Sequence, residues 1–168
     1  SPLVVAAGST VVFSYAVRNT GSDTLRDVVL VDDAGTVGVP GDDFIPAPVT
    51  ITAGGKVYNT GDTNKNGLLD RTETWLYTAS RIAPEGAYTN IANVSATNTR
   101  TLVTLRDDDP ANLFGAVARV DLEKAINAVD PANPTPAEDA DSSTQPLVLN
   151  LGTPITFTYL LRNTGNGP

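Results

Sequence analysis

The segment DTNKNGLLDRTE, from Asp62 to Glu73, places oxygen-bearing side chains at alternate positions around a glycine. This spacing matches the EF-hand loop, which supplies ligands at positions 1, 3, 5, 7, 9 and 12 and turns sharply at a glycine in position 6. The glycine here is Gly67, and Leu69 stands at position 8, where such loops carry an apolar anchor. The expected calcium ligands are Asp62, Asn64, Asn66, the Leu68 carbonyl, Asp70 and Glu73.

The chemistry of the ion explains the spacing. Calcium is a hard cation that takes about six to eight oxygen ligands, and a tight loop with oxygens at alternate positions can surround it. An Asn/Gly-rich hairpin loop that holds no metal is the alternative interpretation. An EF-hand has a helix on each side, whereas residues 74–79 after Glu73 alternate as a strand does. We therefore predict one Ca²⁺ in a loop inserted into a β fold.

A second acidic group is less specific. We expect either a junction metal site that stiffens the chain or a solvated acidic linker, formed by Asp107, Asp109, Glu123, Asp139 and Asp141. Asp32 and Asp33 end a predicted strand, and we assign them to turn chemistry.

The composition argues against catalysis. The chain has no cysteine and no histidine, which removes thiol nucleophiles, imidazole bases and zinc sites of the usual kind. No motif indicates a pair of glycosidase carboxylates. An amide crosslink from Lys56 or Lys124 to an Asn or Asp, as in some surface adhesins, is left open beside the plainer interpretation of exposed lysines. We expect no enzymatic activity.

The net charge of −8 makes nucleic acid a poor candidate partner, because an acidic surface repels phosphates. No run of about 18 apolar residues predicts a transmembrane helix, so we expect no membrane insertion in this segment. The sequence contains no methionine, and we interpret it as part of a longer protein.

An internal repeat organises the chain. Residues 1–24 and 145–168 align without gaps, and both contain the motif RNTG after an F-x-Y pair. Each segment alternates apolar and polar residues, which predicts a half-buried strand. Further strands are predicted at 25–33, 74–79, 87–98, 101–106 and 113–126. Many short strands between turn signals favour an all-β, immunoglobulin-like antiparallel β-sandwich repeated in tandem.

The predicted domain boundary lies at 107–112, where DDDPAN interrupts the β pattern. We expect one repeat at residues 1–109 and the first part of the next at 110–168, with a Pro/Ala/Asp-rich loop at 128–145. The first repeat then lacks the strand that opens the second. We expect that strand to come from preceding residues or from another copy, by tandem extension or strand complementation.

The ordered strings VRNTG, GDTNKNGLLDRTETW, YTNIANVSAT, DDDPANLFG and VDLEKAINAVD resemble the bacterial conserved surface-repeat family. That resemblance implies immunoglobulin-like tandem repeats in large secreted or wall-associated proteins, and it implies no catalysis.

We therefore expect a structural unit of an extracellular or cell-surface filament, stalk or array, stabilised by calcium, whose partners are other copies of itself. An adhesin or carbohydrate-binding module is the alternative, and an accessory domain of a large secreted hydrolase is a third. A binding module usually exposes a plane of aromatic side chains, and here most aromatics alternate into predicted strand cores.

Overall fold

The computed structural model describes residues 2–167 and divides the chain after Ala116 into two compact units. Each unit is described by itself. Unit 1 contains strands β1 (Leu3–Ala6), β2 (Thr10–Arg18), β3 (Leu25–Asp32), β4 (Ala47–Pro48), β5 (Thr50–Ala53), β6 (Lys56–Asn59), β7 (Thr74–Ile82), β8 (Gly86–Asn98) and β9 (Thr104–Ala116). Unit 2 contains β10 (Val120–Ile126), a single helical turn α1 (Pro136–Asp139) and β11 (Phe157–Asn163).

Unit 1 is a two-layer β-sandwich, which confirms the predicted all-β sandwich. One sheet has the strand order β1-β9-β8-β3, the other has β2-β7-β4, and β5 and β6 form a hairpin. All strand pairs are antiparallel except β1 and β9, which run parallel and depart from the prediction. The layers meet at a core of Leu25, Leu69 and Ala96, against which Val17 and Trp75 pack.

The sequence pattern explains β2. Its residues alternate between half-buried and exposed, and Val11, Phe13, Tyr15 and Val17 are the half-buried ones. These β-branched and aromatic side chains suit a pleated surface with one buried face. Strand β2 pairs with β7 over its whole length, with Tyr15 opposite Tyr77. This inward face positions the aromatic residues between the two layers.

The predicted boundary at 107–112 falls within strand β9, and the two compact units divide after Ala116. Strand β9 runs through these residues, with Asp107 opposite Val94 and Asp109 opposite Ala92 of β8. The long neighbouring strand offers a continuous ladder that the local sequence does not reveal. Pro110 is tolerated because β1 pairs only with residues 113–116, so β9 has a neighbour on one side at this point. The predicted strand at 113–126 is accordingly divided between β9 and β10.

Unit 2 pairs β10 with β11 in one antiparallel ladder, from Val120 opposite Asn163 to Ile126 opposite Phe157. The Pro/Ala/Asp-rich segment between them contains α1, which the sequence analysis did not predict. Thr135 caps this turn through a reciprocal capping box with Glu138, and Pro136 begins it.

Candidate metal centre

The Asp62–Glu73 loop joins β6 to β7 and is anchored to the sandwich by Leu69. This side chain is fully buried and belongs to the core, as its anchor position predicts. Its backbone N–H donates to the Leu25 carbonyl at 2.8 Å, and its carbonyl accepts from the Leu25 N–H at 3.1 Å. The Asn19 amide nitrogen donates to the same Leu69 carbonyl at 2.9 Å. The loop is therefore tied to β3 and to the end of β2.

The first predicted ligand, Asp62, lies inside the turn of the loop and is only 2% exposed. Its two carboxylate oxygens accept from the backbone N–H of Asn66 at 3.1 Å and of Gly67 at 2.9 Å. Lys65 and Gly67 both have positive φ, at 58° and 76°, which curls the chain over this carboxylate. Glycine adopts that conformation without the steric cost a side chain imposes.

The last predicted ligand, Glu73, is also 2% exposed and spans the base of the loop. Its Oε1 accepts from the Thr63 N–H at 2.8 Å and from the Thr63 hydroxyl at 3.0 Å. Its Oε2 accepts from the Asp70 N–H at 3.1 Å. At the same base, a Cβ on Gly61 would lie 1.8 Å from the Thr74 carbonyl oxygen, so only glycine allows the two chain ends to approach this closely.

The central predicted ligands contact one another near the surface. The amide nitrogens of Asn64 and Asn66 donate to Asp70 Oδ2 at 2.7 and 2.9 Å. The Asn66 amide oxygen accepts from the Leu68 N–H at 2.7 Å. Over residues 2–167 the side chains do not gather three or more Asp, Glu, His or Cys groups around a common metal position. The structure thus collects the predicted ligands in one loop without closing them into a coordination shell.

The charge of the loop fits a cation. Within the described part of the chain, the ion pairs do not include Asp62 or Glu73, so two buried carboxylates lack a positive partner. Backbone N–H groups offset part of the cost of burying an anion, but a paired cation offsets more. All donors in the predicted set are oxygens, which is the chemistry that Ca²⁺ prefers.

The predicted junction residues are divided between the two units. Asp107 and Asp109 lie in β9, whereas Glu123 belongs to β10 and Asp139 to the end of α1. In unit 2, a hydrogen bond with Asp139 is the main cause that raises the pKa of Glu123, followed by burial and the charges of Asp139, Asp141 and Asp121. No N–H or O–H of another described residue donates to Glu123 Oε1 or Asp139 Oδ1, so these two buried oxygens can form their hydrogen bond only when Glu123 is protonated. Unit 2 therefore brings Glu123 and Asp139 together, with Asp141 close enough to raise the pKa of Glu123.

A further polar cluster was missed by the sequence analysis. Asp32 and Asn90 are 0% and 1% exposed, and Asp32 Oδ2 accepts from the Asn90 amide nitrogen at 2.6 Å and from the Tyr15 hydroxyl at 2.7 Å. Turn chemistry explains the contacts of Asp32 Oδ1 and Asp33 Oδ1, which accept from the N–H groups of Ala34 and Gly35. It does not explain the contacts of Asp32 Oδ2 with Asn90 and Tyr15. The cross-layer contacts join residues far apart in sequence, so no local pattern signals them.

Comparison with known proteins adds no relative. No family model matches the chain, and no curated protein is similar enough to count as a match. Among residues 2–167, no helix is long and apolar enough to cross a membrane.

Proposed function

We propose that the chain is a structural repeat unit of an extracellular fibre, stalk or surface array, and that its Asp62–Glu73 loop is stabilised by one calcium ion. The observation that carries this proposal is the burial of Asp62 and Glu73, at the two ends of an all-oxygen loop, without a positive partner among the described residues. Membership of the surface-repeat family is proposed on the ordered sequence motifs given above.

The charge of the ligand set indicates where such a loop works. Three predicted side-chain ligands are carboxylates and two are neutral amides, which favours the weak affinity of extracellular modules, with a Kd of about 10⁻⁴ to 10⁻³ M. A site of this strength fills only where calcium is abundant, which is outside the cell. A bound ion would join the end of β6 to the start of β7 through residues already tied to the core.

The position of Trp75 favours a structural unit over a carbohydrate-binding module. Trp75 is the only tryptophan of the chain, and it packs against the core of Leu25, Leu69 and Ala96. A planar sugar-binding platform would instead require exposed aromatic rings. We propose that the chain functions without catalysis.

The test is thermal unfolding in calcium and in chelator, followed by the fluorescence of Trp75. At a calcium concentration a hundredfold above Kd, mass action stabilises the folded state by about 2.7 kcal/mol, which corresponds to a rise in Tm of roughly 10 °C. Glu73→Gln should lose most of this calcium-dependent shift, because Glu73 is the expected bidentate ligand. Asp43→Asn is the matched control, since it removes one exposed carboxylate outside the loop and should keep the full shift.

The comparison uses the difference between the calcium and chelator curves. Glu73→Gln also weakens hydrogen bonds to Thr63 and Asp70, so its stability in chelator alone is not diagnostic. Equal Tm values for the wild type in calcium and in chelator would overturn the calcium proposal. A Glu73→Gln shift as large as that of Asp43→Asn would overturn the assignment of the ligand.

A further inference from the structure

Unit 1 contains a cavity of about 650 Å³ between its two sheets. The walls combine aromatic side chains from β2 with acidic and amide groups from the facing sheet. Its lining includes Phe13, Tyr15, Asp32, Asn90, Asp107 and Asp109. The space is partly open to solvent and is large enough to admit a further group of side chains.

The buried polar wall, formed by Asp32 and Asn90, makes no ion pair among the described residues, although Arg18 and Arg106 also line the cavity. Asp32 is fully buried, and the ion pairs of the described part of the chain do not include it. Asn90 is 1% exposed, and its Oδ1 is buried without a hydrogen-bond partner among the described residues. Burial, reinforced by the hydrogen bond to Asp32, raises the pKa of Tyr15 well above its usual value, so this hydroxyl stays a donor. A buried anion beside an unsatisfied amide oxygen is suited to an ammonium group.

Strand β2 has an unpaired edge beside this cavity, since β7 is its only neighbour in the described sheet. The hydrogen bonds of Leu76 in β7, which lies opposite Ala16, show which residues of β2 point their N–H and C=O groups to that edge. The Leu76 N–H donates to Asn59 Oδ1 at 3.0 Å and its carbonyl accepts from the Val49 N–H at 2.9 Å, both away from β2. Leu76 and Ala16 therefore form a pair of the antiparallel ladder that exchanges no hydrogen bonds. Ala16 therefore points its N–H and C=O to the unpaired edge.

The second repeat shows which strand fits this edge. Strand β11 corresponds to β2 in the sequence repeat, and Leu160 corresponds to Ala16. The Thr156 carbonyl accepts from the Asn127 N–H at 2.8 Å, and the Thr164 N–H donates to the Arg119 carbonyl at 3.1 Å. Even-numbered residues of β11, Leu160 included, therefore face β10. Strand β10 occupies the edge of β11 that corresponds to the unpaired edge of β2.

If β10 paired with β2 in the register that it has on β11, its lysine would lie at the cavity. Lys124 lies opposite Tyr159, which corresponds to Tyr15. Its Nζ is 4.7 Å from the centre of the Phe157 ring and 5.9 Å from that of Tyr159, so the lysine lies on the aromatic face. On β2 the same register would put this lysine beside Tyr15, whose hydroxyl contacts Asp32. The carboxylates that line the cavity outnumber its guanidinium groups, which makes it complementary to a positive charge: they belong to Asp32, Asp107, Asp108 and Asp109, against Arg18 and Arg106.

We propose that the unpaired edge of β2 binds the β10 strand of a second copy of the chain, and that Lys124 of that strand forms an amide bond with Asn90. Exchange of partners is favoured because β2 and β11 share the F-x-Y pair and the following arginine and offer β10 the corresponding edge. The inference deepens the proposed assembly of copies and does not depend on calcium binding.

The bond requires no external oxidant or cofactor. Lys124 enters as an ammonium and gives one proton to the Asp32 carboxylate, which is already hydrogen-bonded to Asn90 Nδ2. The neutral Nζ then attacks Asn90 Cγ, and an Nζ–Cγ bond forms as the Cγ–Nδ2 bond breaks. Asp32 gives its proton to the departing nitrogen and takes the proton that the attacking nitrogen loses. One ammonia leaves for each amide bond formed. Burial favours the neutral amine that the attack requires.

The test uses the full chain, concentrated in calcium-containing buffer, then analysed by denaturing electrophoresis and intact mass. We expect covalent multimers whose mass is the sum of the chains less one ammonia for each link, and a digest that contains Lys124 joined to Asn90. Lys124→Arg should abolish the link while the chain stays folded, because Lys124 is exposed. Lys56→Arg is the matched control and should crosslink like the wild type.

A second variant guards against misfolding at the acceptor. Asn90→Asp keeps the size of the side chain, and its link should lose one water in place of ammonia. Association that separates in denaturant would overturn the amide bond, and the absence of any association would overturn the docking as well. A link at other residues, or ammonia loss from Asn90→Asp, would also overturn the inference. Because calcium dependence is measured on Tm, failure of the crosslink leaves the calcium result unaffected.

Discussion

Two segments that align without gaps, residues 3–18 and 147–162, differ in structure although both carry an F-x-Y pair followed by an arginine. Residues 3–6 form β1 and pair with the end of β9, whereas the corresponding residues 147–150 form no strand. Strand β2 pairs with β7, while its counterpart β11 pairs with β10. The difference shows that the neighbouring strand, rather than local sequence alone, decides whether such a segment is ordered as a strand and which edge is paired.

Burial differs in the same way. Tyr15 is half-buried and its hydroxyl reaches Asp32 in the facing sheet. The corresponding Tyr159 is 59% exposed, and Phe157 and Leu161 beside it are also exposed. The half-buried residues of β11 are Thr158 and Leu160, on the face opposite to its aromatic residues, whereas β2 half-buries its aromatic face. Only unit 1 provides a second layer of described strands against the aromatic face. Matched substitutions in the two copies should therefore have unequal effects.

The largest difference in stability is expected between substitution of a fully buried leucine of unit 1 and of an exposed leucine of unit 2. Leu69→Ala should lower the free energy of unfolding of unit 1 by about 2–5 kcal/mol, because it empties a fully buried core position and releases the calcium loop from β3. Leu161→Ala removes a side chain that is 67% exposed and should change stability by about 0.5 kcal/mol or less. Chemical denaturation followed by Trp75 fluorescence measures the first. Amide exchange of β10 and β11 measures the second, and equal effects would contradict the comparison.

A smaller difference is expected between the repeated tyrosines. Tyr15→Phe deletes a hydrogen bond to the buried Asp32 carboxylate and should cost about 1.5–3 kcal/mol, the range for hydrogen bonds to charged groups. Tyr159→Phe deletes an exposed hydroxyl and should be nearly neutral. Thermal unfolding of both variants checks this pair. A neutral Tyr15→Phe would show that Asp32 is satisfied by other donors, and it would weaken the case for the polar wall of the cavity.

The parts of the molecule that were predicted from sequence depend on local pattern. Alternation predicted β2, β3 and β8, and the spacing of Asp62–Glu73 predicted a loop with a sharp turn at Gly67 and an apolar anchor at Leu69. The capping box at Thr135 was also visible as a local signal, yet the proline-rich composition around it favoured a loop. The all-β sandwich followed from the number of short strands and the turn signals between them.

The parts that were not predicted depend on pairing between distant residues. The acidic run in β9 resembles a linker until β8 is placed beside it, because its ladder hydrogen bonds come from residues 86–97. The Asp32–Asn90–Tyr15 cluster joins three strands from two layers, and each residue alone has an ordinary explanation in its own segment. Sequence therefore identified elements and one loop, whereas strand partners and cross-layer contacts required the structure.

The smallest expected effect concerns two glutamates of unit 2 whose pKa values are shifted in opposite directions. Hydrogen bonding to Asp139, then burial and neighbouring carboxylates, raise the pKa of Glu123. Backbone hydrogen bonds from Thr135 and Val129 lower the pKa of Glu138. A raised carboxyl pKa gives stability that is present below the unfolded pKa and is lost as pH rises through the folded pKa. A lowered pKa gives stability that is present above the unfolded pKa and is lost as pH falls through the folded pKa.

These signs predict opposite pH responses for two isosteric variants. Glu123→Gln should remove the loss of protection of β10 amides as pH rises above the ordinary glutamate range, because a neutral amide has no charge to repel Asp139. Glu138→Gln should instead remove stability that the wild type has at neutral pH, since the amide is a weaker acceptor for the Val129 and Thr135 N–H groups. NMR titration of the two side-chain carboxyls, with amide exchange corrected for its intrinsic pH dependence, measures both effects. A Glu123 carboxyl that titrates below Glu138 would contradict the pairing with Asp139, and would leave that cluster open to a bound cation in place of a shared proton.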